Sequence, residues 1–246
     1  MKTLVVLPTY QEAANVAEVL RQIRAAAPTV DIVVVDDNSP DGTADLADAI
    51  AARLGRIRVV RRPSKDGLGS AYRSAFQEGL ALGYDVLVEM DADLSHDPSA
   101  LPGLLAALKD DVDLVVGSRY VPGGVIPDWA IHRRKLSRWG NRYAAAVLGL
   151  TVADATSGFR AYRSEALSRI DLPSVRANGY GFQIEMVHRV ARSGGRIVEV
   201  PITFTDRRRG TSKMSSRIIA EALLLVTWRG LHDRAGTRRC RALAAP

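Results

Sequence analysis

One cysteine, Cys240, stands in 246 residues, so no disulfide can close within the chain and the composition suits a reducing compartment. The four histidines are scattered, with no close His or Cys neighbour, which argues against a zinc site. No run approaches the roughly 18 to 20 unbroken apolar residues of a spanning helix. The nearest, Ile218 to Trp228, is short and carries Glu221. No signal peptide is expected, because Met1-Lys2 leads straight into a strand-like run ending at Pro8. A Gly-x-Gly-x-x-Gly after the first strand is missing, and so is a Walker A loop. Those absences argue against a dinucleotide fold and against P-loop phosphoryl transfer. Internal repeats and low-complexity segments are also lacking.

Apolar residues make up 47% of the chain, enough for a real core. Its net charge of +7 is unevenly placed. Residues 207–246 hold ten Arg and Lys against Glu221 and Asp233, a net +8, which leaves −1 for residues 1–206. A basic C-terminal segment suits phosphates or an anionic membrane surface. Nucleic acid is set aside as a partner, for want of a recognisable binding module and interleaved aromatics.

Strand-like, β-branched runs stand at Thr3–Pro8, Asp31–Asp36, Ile57–Arg61, Asp85–Met90 and Asp113–Gly117. Helical patterns lie between them at Glu12–Ala27, Asp41–Leu54, Gly67–Leu82 and Ser99–Lys109, with Asp41-Gly42-Thr43 and Ser99 at helix starts. This alternation predicts an α/β fold with a mostly parallel central sheet and helices on both faces. Ligands in such sheets bind beyond the carboxyl ends of the strands. Pro8–Glu12, Asp36–Asp41, Asp91–Ser95 and Gly117–Tyr120 are therefore expected along one rim. Further on, Trp129–Leu150 reads as a helix with Leu136, Trp139, Tyr143 and Val147 on one face and Arg133, Arg134, Arg138 and Arg142 on the other. Strands are expected at Ser157–Arg163 and Arg196–Phe204, a helix around Gln183–Arg192, and an amphipathic helix at Ser215–Trp228. One domain over 1–228 with a basic, flexible tail over 229–246 is the simplest organisation.

The most informative stretch is Val86–Pro98, in which an apolar run ends at Asp91-Ala92-Asp93. On a strand, residues i and i+2 face one side, so two carboxylates at a strand end could hold one hard cation, Mg²⁺ or Mn²⁺, together with substrate phosphates. A solvated Asp-rich turn is the plainer alternative. Pro8–Glu12 could stack and bind a nucleoside or be an ordinary strand-to-helix turn. The acidic residues after the second strand, Asp36 and Asp37, could accept from a ribose or a base edge. Gly67–Tyr72 suits an anion at a helix start or close helix-on-sheet packing. Arg119 suits a phosphate or an acidic partner, and Arg207 to Lys213 form a basic loop suited to pyrophosphate or simply solvated.

Taken in order, these segments resemble the family 2 glycosyltransferases of GT-A fold, and within them the polyprenol (dolichol) monophosphate mannose synthases. PTYQE at Pro8–Glu12, VVDDNSPDGT at Val34–Thr43, GLGSAY at Gly67–Tyr72, MDADLSHDP at Met90–Pro98 and GSRY at Gly117–Tyr120 carry the likeness. SGFRAY at Ser157–Tyr162, GYGFQIEM at Gly179–Met186, VPITF at Val200–Phe204 and RRRGTSKM at Arg207–Met214 continue it, over about residues 3 to 228. The resemblance implies GDP-mannose as donor and a polyprenyl (dolichyl) phosphate as acceptor. It implies a guanosine pocket of Pro8, Tyr10, Glu12, Val35 and Asp37, with Asp91, Ala92 and Asp93 on the diphosphate and a divalent metal held by Asp91 and Asp93. Arg119, Arg207 and Lys213 match residues that contact donor or acceptor phosphates. Two departures stand out. Gln11 replaces the usual Asn of the first motif, and Ser95 occupies a position that is Gln in some relatives, where it can help ligate metal.

Transfer is expected to invert the anomeric carbon, because the acceptor phosphate would attack in line from the face opposite the leaving diphosphate; already mostly a dianion at neutral pH, it needs no general base. The expected place of work is the cytoplasmic face of a membrane, reached through the amphipathic helices and basic tail or through a membrane-embedded partner. UDP-glucose as donor, and a non-catalytic nucleotide-sugar-binding subunit, are the rival readings.

Overall fold

The computed structural model describes residues 1–206 and 220–232. The strands are β1 (Thr3–Thr9), β2 (Asp31–Asp36), β3 (Ile57–Arg61), β4 (Val86–Glu89), β5 (Leu114–Ser118), β6 (Arg160–Arg163) and β7 (Ile197–Pro201). Helices α1 (Val16–Ala26), α2 (Thr43–Leu54), α3 (Leu68–Ala81) and α4 (Leu101–Ala107) alternate with the first strands, as the hydrophobic pattern predicts. Asp97 caps the turn before α4, accepting from the Ser99 N–H at 2.9 Å, so the capping side chain lies two residues before Ser99. Then come α5 (Ile131–Leu148), α6 (Ser164–Ser168), α7 (Gly179–Arg192) and α8 over 220–232. Residues 215–219, where the last helix is expected to begin, lie outside the described residues. The described part of α8 reaches 232, past the expected start of the tail at 229.

The sheet order is β3-β2-β1-β4-β6-β5-β7. All neighbours pair in parallel except β6, which is antiparallel to both β4 and β5. The chain leaves β5 at the rim and returns to the same rim before β6, so that strand runs back down the sheet. Alternation along the strands feeds two apolar layers. Leu4 and Val6 of β1 join Tyr72 and Phe76 of α3 and Phe182 and Val187 of α7. Val5 and Leu7 join Val19 and Leu20 of α1 and Leu104 of α4 on the opposite face. Helices therefore cover both faces, and the carboxyl ends of β1, β2, β4 and β5 share one edge.

Helix α5 leaves much of its apolar face uncovered. Its buried residues are Asn141 and Ala144, while Leu136 and Trp139 are about half exposed. Trp129, expected at its start, precedes the helix and is buried. Among the described residues no helix is long and apolar enough to cross a membrane.

Candidate active site

A cleft of about 610 Å³ opens along the shared strand edge. Its first wall is the loop after β1. Gln11 adopts φ 56°, which swings the chain across β2. The loop is tied down there: Gln11 N–H donates to Ser39 Oγ at 2.9 Å and Glu12 N–H to Thr43 Oγ1 at 2.9 Å. Pro8, Tyr10 and Glu12 line the cleft, and the Lys65 ammonium sits 4.0 Å over the Tyr10 ring. Asp37, after β2, also lines it and accepts from Arg62 Nη1 at 2.8 Å. Burial pushes the Asp37 carboxyl up, and Arg62 opposes that shift. Val35 is different. Its side chain belongs to the apolar core and does not line the cleft.

The aspartate pair reaches the cleft by another route than strand geometry. Strand β4 ends at Glu89, so Asp91 and Asp93 lie in a turn, and the i, i+2 rule for strands does not aim them. Leu94 at φ 62° closes that turn. Asp93 Oδ1 accepts from the N–H of Ser95 at 3.0 Å and from its hydroxyl at 2.5 Å, so Ser95 here braces the carboxylate. The Asp91 N–H donates to His96 Nδ1 at 3.3 Å. His96 is buried against Phe159 and Phe204, with ring centroids 5.4 and 5.3 Å away. Burial drives its pKa down to about 4, so the ring is neutral and able to accept that bond. The 3.7 Å approach of His96 to the Asp91 carboxylate is thus no ion pair at neutral pH. Asp91, Ala92, Asp93, Ser95 and His96 all line the cleft.

Arg119 follows β5 and is buried. Its Nε and Nη2 each donate to Asp154 at 2.7 Å, and Nη2 also reaches Thr156 Oγ1 at 2.7 Å. Burial opposes the Arg119 charge, yet the Asp154 carboxylate outweighs it and raises the pKa. Arg119 still lines the cleft, so of the two partners foreseen for it the acidic one is present. Arg207 and Lys213 lie outside the described residues.

Further residues of the cleft come from the segments around α5 and α7. Trp129 Nε1 and Arg133 Nη1 both donate to Asp206 Oδ1, at 2.9 and 2.8 Å. Both line the cleft, as do Tyr180 and Gln183 of α7. Gln183 stands inside the GYGFQIEM motif, Gly179–Met186, which is where the sequence signals it. Beneath the cleft, Glu89 is fully buried opposite Arg160, its register partner on β6. Burial pushes the Glu89 carboxyl up to about 7, against the pull of Arg160. The glycine-rich segment at the start of α3 packs closely. A Cβ on Gly69 would stand 2.4 Å from the Ala177 carbonyl oxygen. Close packing, the other reading of that segment, accounts for this glycine.

The donor set fits one kind of cation. Among the described residues no group of three or more His, Cys, Asp or Glu could enclose a metal. Two hard carboxylates lining an open cleft suit Mg²⁺ or Mn²⁺ that completes its shell with substrate oxygens and water. A closed structural site is not built here.

Residues 4–171 match the family model described as Glycosyl transferase family 2. The chain is 49% identical over 243 residues to an undecaprenyl-phosphate mannosyltransferase of Micrococcus luteus, covering 96% of this chain and 100% of that protein. It is 50% identical over 234 residues to a polyprenol monophosphomannose synthase of Mycolicibacterium smegmatis, covering 95% and 88%. In fold it is similar to a glucosyl-3-phosphoglycerate synthase from Mycobacterium tuberculosis solved with Mn²⁺, UDP and phosphoglyceric acid (TM-score 0.71, 22% identity, 93% of this chain and 78% of that one). It is also similar to the mannosyltransferase PcManGT from Pyrobaculum calidifontis solved with GDP-Man and Mn²⁺ (TM-score 0.59, 17% identity, 100% and 76%).

Proposed function

The chain belongs to glycosyl transferase family 2, and from that premise we propose that it transfers mannose from GDP-mannose to a polyprenyl monophosphate, inverting the anomeric carbon. It is a glycosyltransferase of GT-A type fold, and its near-full-length relatives at about half identity are mannosyltransferases acting on that lipid class. The observation that carries the reading is the placement of Asp91 and Asp93 in one cleft with Tyr10, Glu12 and Asp37. A GDP-Man complex of a structural neighbour supports the donor.

Tyr10 would stack the base, while Glu12 and Asp37 accept from base or ribose. Asp91 and Asp93 would hold a divalent cation, Mg²⁺ or Mn²⁺, which supplies positive charge against the leaving diphosphate. Arg207 and Lys213 add positive charge there, following the family likeness. Arg133, paired with Asp206, lines the same cleft. Arg119 is positioned by Asp154 and completes that field. The acceptor phosphate attacks the anomeric carbon with its own oxygen. Its second pKa is about 6, so it is mostly a dianion at neutral pH and needs no general base. Neither Asp91 nor Asp93 acts as one.

The acceptor's tail stays in a bilayer, and the surface beside the cleft suits that. Leu136 and Trp139 of α5 and Leu224, Trp228 and Leu231 of α8 are all at least half exposed. The two helices touch through Tyr143 and Thr227, whose hydroxyls are 2.8 Å apart. Arg133, Arg134, Arg138 and Arg142 of α5 flank this apolar surface. The chain therefore docks peripherally on an anionic membrane surface, on the cytoplasmic side where nucleotide sugars are at hand. Donor competition tests the reading. With a short polyprenyl phosphate, label should enter the lipid from GDP-mannose and not from UDP-glucose, and the product should be the β-anomer by NMR. Preferential transfer from UDP-glucose would overturn it.

A further inference from the structure

Gln183 is the one cleft residue whose side chain is buried, polar and uncommitted among the described residues. It is 2% exposed, and neither its amide nitrogen nor its amide oxygen has a hydrogen-bond partner there. The amide comes near the Glu89 carboxyl without hydrogen-bond geometry. Its position is fixed from below. The Gln183 carbonyl accepts from Arg160 Nη1 at 2.7 Å, and Arg160 Nη2 is held by the Ala155 carbonyl at 2.7 Å. Phe182 and Ile184, its neighbours on α7, are core residues.

The wall beside it is equally specific. A Cβ on Gly158 would stand 3.5 Å from Gln183 Nε2 and 3.6 Å from both carboxylate oxygens of Asp91. The glycine therefore leaves space that is bordered on one side by an amide and on the other by a carboxylate. An amide offers a donor and an acceptor together, the complement of a sugar hydroxyl or of two adjacent ones. Leaving such a group buried and unpaired is unfavourable, and filling it only when the right substrate binds turns that cost into discrimination.

We propose that Gln183 is a specificity residue that reads hydroxyl groups of the donor hexose, across the space left by Gly158 from Asp91. The inference rests on the mannosyl-transfer reading and deepens it. Gln183 touches the sugar and takes no part in bond making. The nucleotide half of the donor is bound elsewhere in the cleft, by Tyr10, Glu12 and Asp37.

The test is calorimetric binding of GDP, GDP-mannose and GDP-mannose analogues each lacking one hydroxyl, with Mn²⁺ and without acceptor, to the parent chain and to Gln183→Met. The parent should bind at least one deoxy analogue about tenfold or more weakly than GDP-mannose. In Gln183→Met that preference should vanish, while GDP affinity stays within about twofold and the melting temperature holds or rises as two unpaired polar atoms leave the interior. Gln183→Leu, apolar and close in volume, serves in its place if the Met variant does not fold. A parent-like preference among the analogues in the variant overturns the assignment. Because no acceptor is present, a failure of lipid mannosylation in a separate transfer assay would sink the reaction reading and leave this result standing.

Discussion

Arg119 and Asp154 form a buried bidentate pair, with Nε and Nη2 each 2.7 Å from one carboxylate oxygen and the Arg119 N–H adding a third bond at 2.9 Å. The loop bearing Asp154 is fixed in turn by Glu199, whose carboxylate accepts from the N–H groups of Ala153 and Asp154 at 2.7 and 2.9 Å. Thr156 links Arg119 to Asn141 of α5 at 2.7 and 3.1 Å. The pair thus joins the end of β5, the loop before β6 and α5 into one wall of the cleft.

Asp154→Asn should cost about 3 to 5 kcal/mol of stability, because it strands a buried guanidinium charge. Urea unfolding measures this. Burial alone would raise the Asp154 pKa, but Arg119 holds it below its usual 3.8. A carboxyl depressed in the folded state adds stability that is present above 3.8 and lost as pH falls through the folded value. The parent should therefore shed this contribution only in strong acid, and Asp154→Asn should show a flatter acid limb there. Equal midpoints for the two proteins at neutral pH would contradict the pairing.

Gln11 stands at φ 56°, where Asn and Gly are tolerated and longer side chains are disfavoured. Gln11→Asn should raise stability, by up to about 1 kcal/mol, and leave the loop in place. A thermal melt reads the gain. A lower melting temperature would mean that the Gln side chain supplies something the backbone does not reveal.

Asp93→Asn keeps the shape of the side chain and removes its charge, while Ser95 still has an oxygen to bond. Metal-dependent GDP binding and transfer should fall to background with the melting temperature nearly unchanged. Ser95→Ala should cost far less, about 1 kcal/mol for a lost hydrogen bond. Near-parent turnover in Asp93→Asn would remove the metal assignment.

Trp139 and Trp228 are each about half exposed beside the α5 arginines. Replacing both with Ser should reduce co-sedimentation with vesicles rich in anionic lipid, without changing GDP affinity. Binding to neutral vesicles should be weak for parent and variant alike. Unchanged binding to anionic vesicles would show that this surface does not meet the bilayer.

The first half of the fold was legible because buried parallel strands write continuous β-branched runs, and β2 and β3 begin and end where those runs do. The direction of β6 was not legible. Arg160, Tyr162 and Arg163 are polar or amphipathic, and a strand's pattern says nothing about which end of the sheet it enters. Arg160 is fully buried because two backbone carbonyls wait for it, which no local pattern announces. Asp91 and Asp93 line the cleft, as their residue type led one to expect, but not by strand geometry, since a turn with Leu94 at φ 62° presents them. Val35 was placed in the pocket by family likeness, yet its side chain faces the core. Trp129 and Arg133 were not foreseen as cleft residues because only the folded chain brings their segment to the rim, whereas Gln183 stood inside the GYGFQIEM motif.

The central claim is mannosyl transfer in a cleft built around Asp91 and Asp93. The most direct test is transfer of radiolabelled mannose from GDP-mannose to a short polyprenyl phosphate, with and without chelator. Label should enter the organic phase, vanish on chelation and return with Mn²⁺ or Mg²⁺. No label in the lipid with metal present, or undiminished transfer under chelation, would contradict the account.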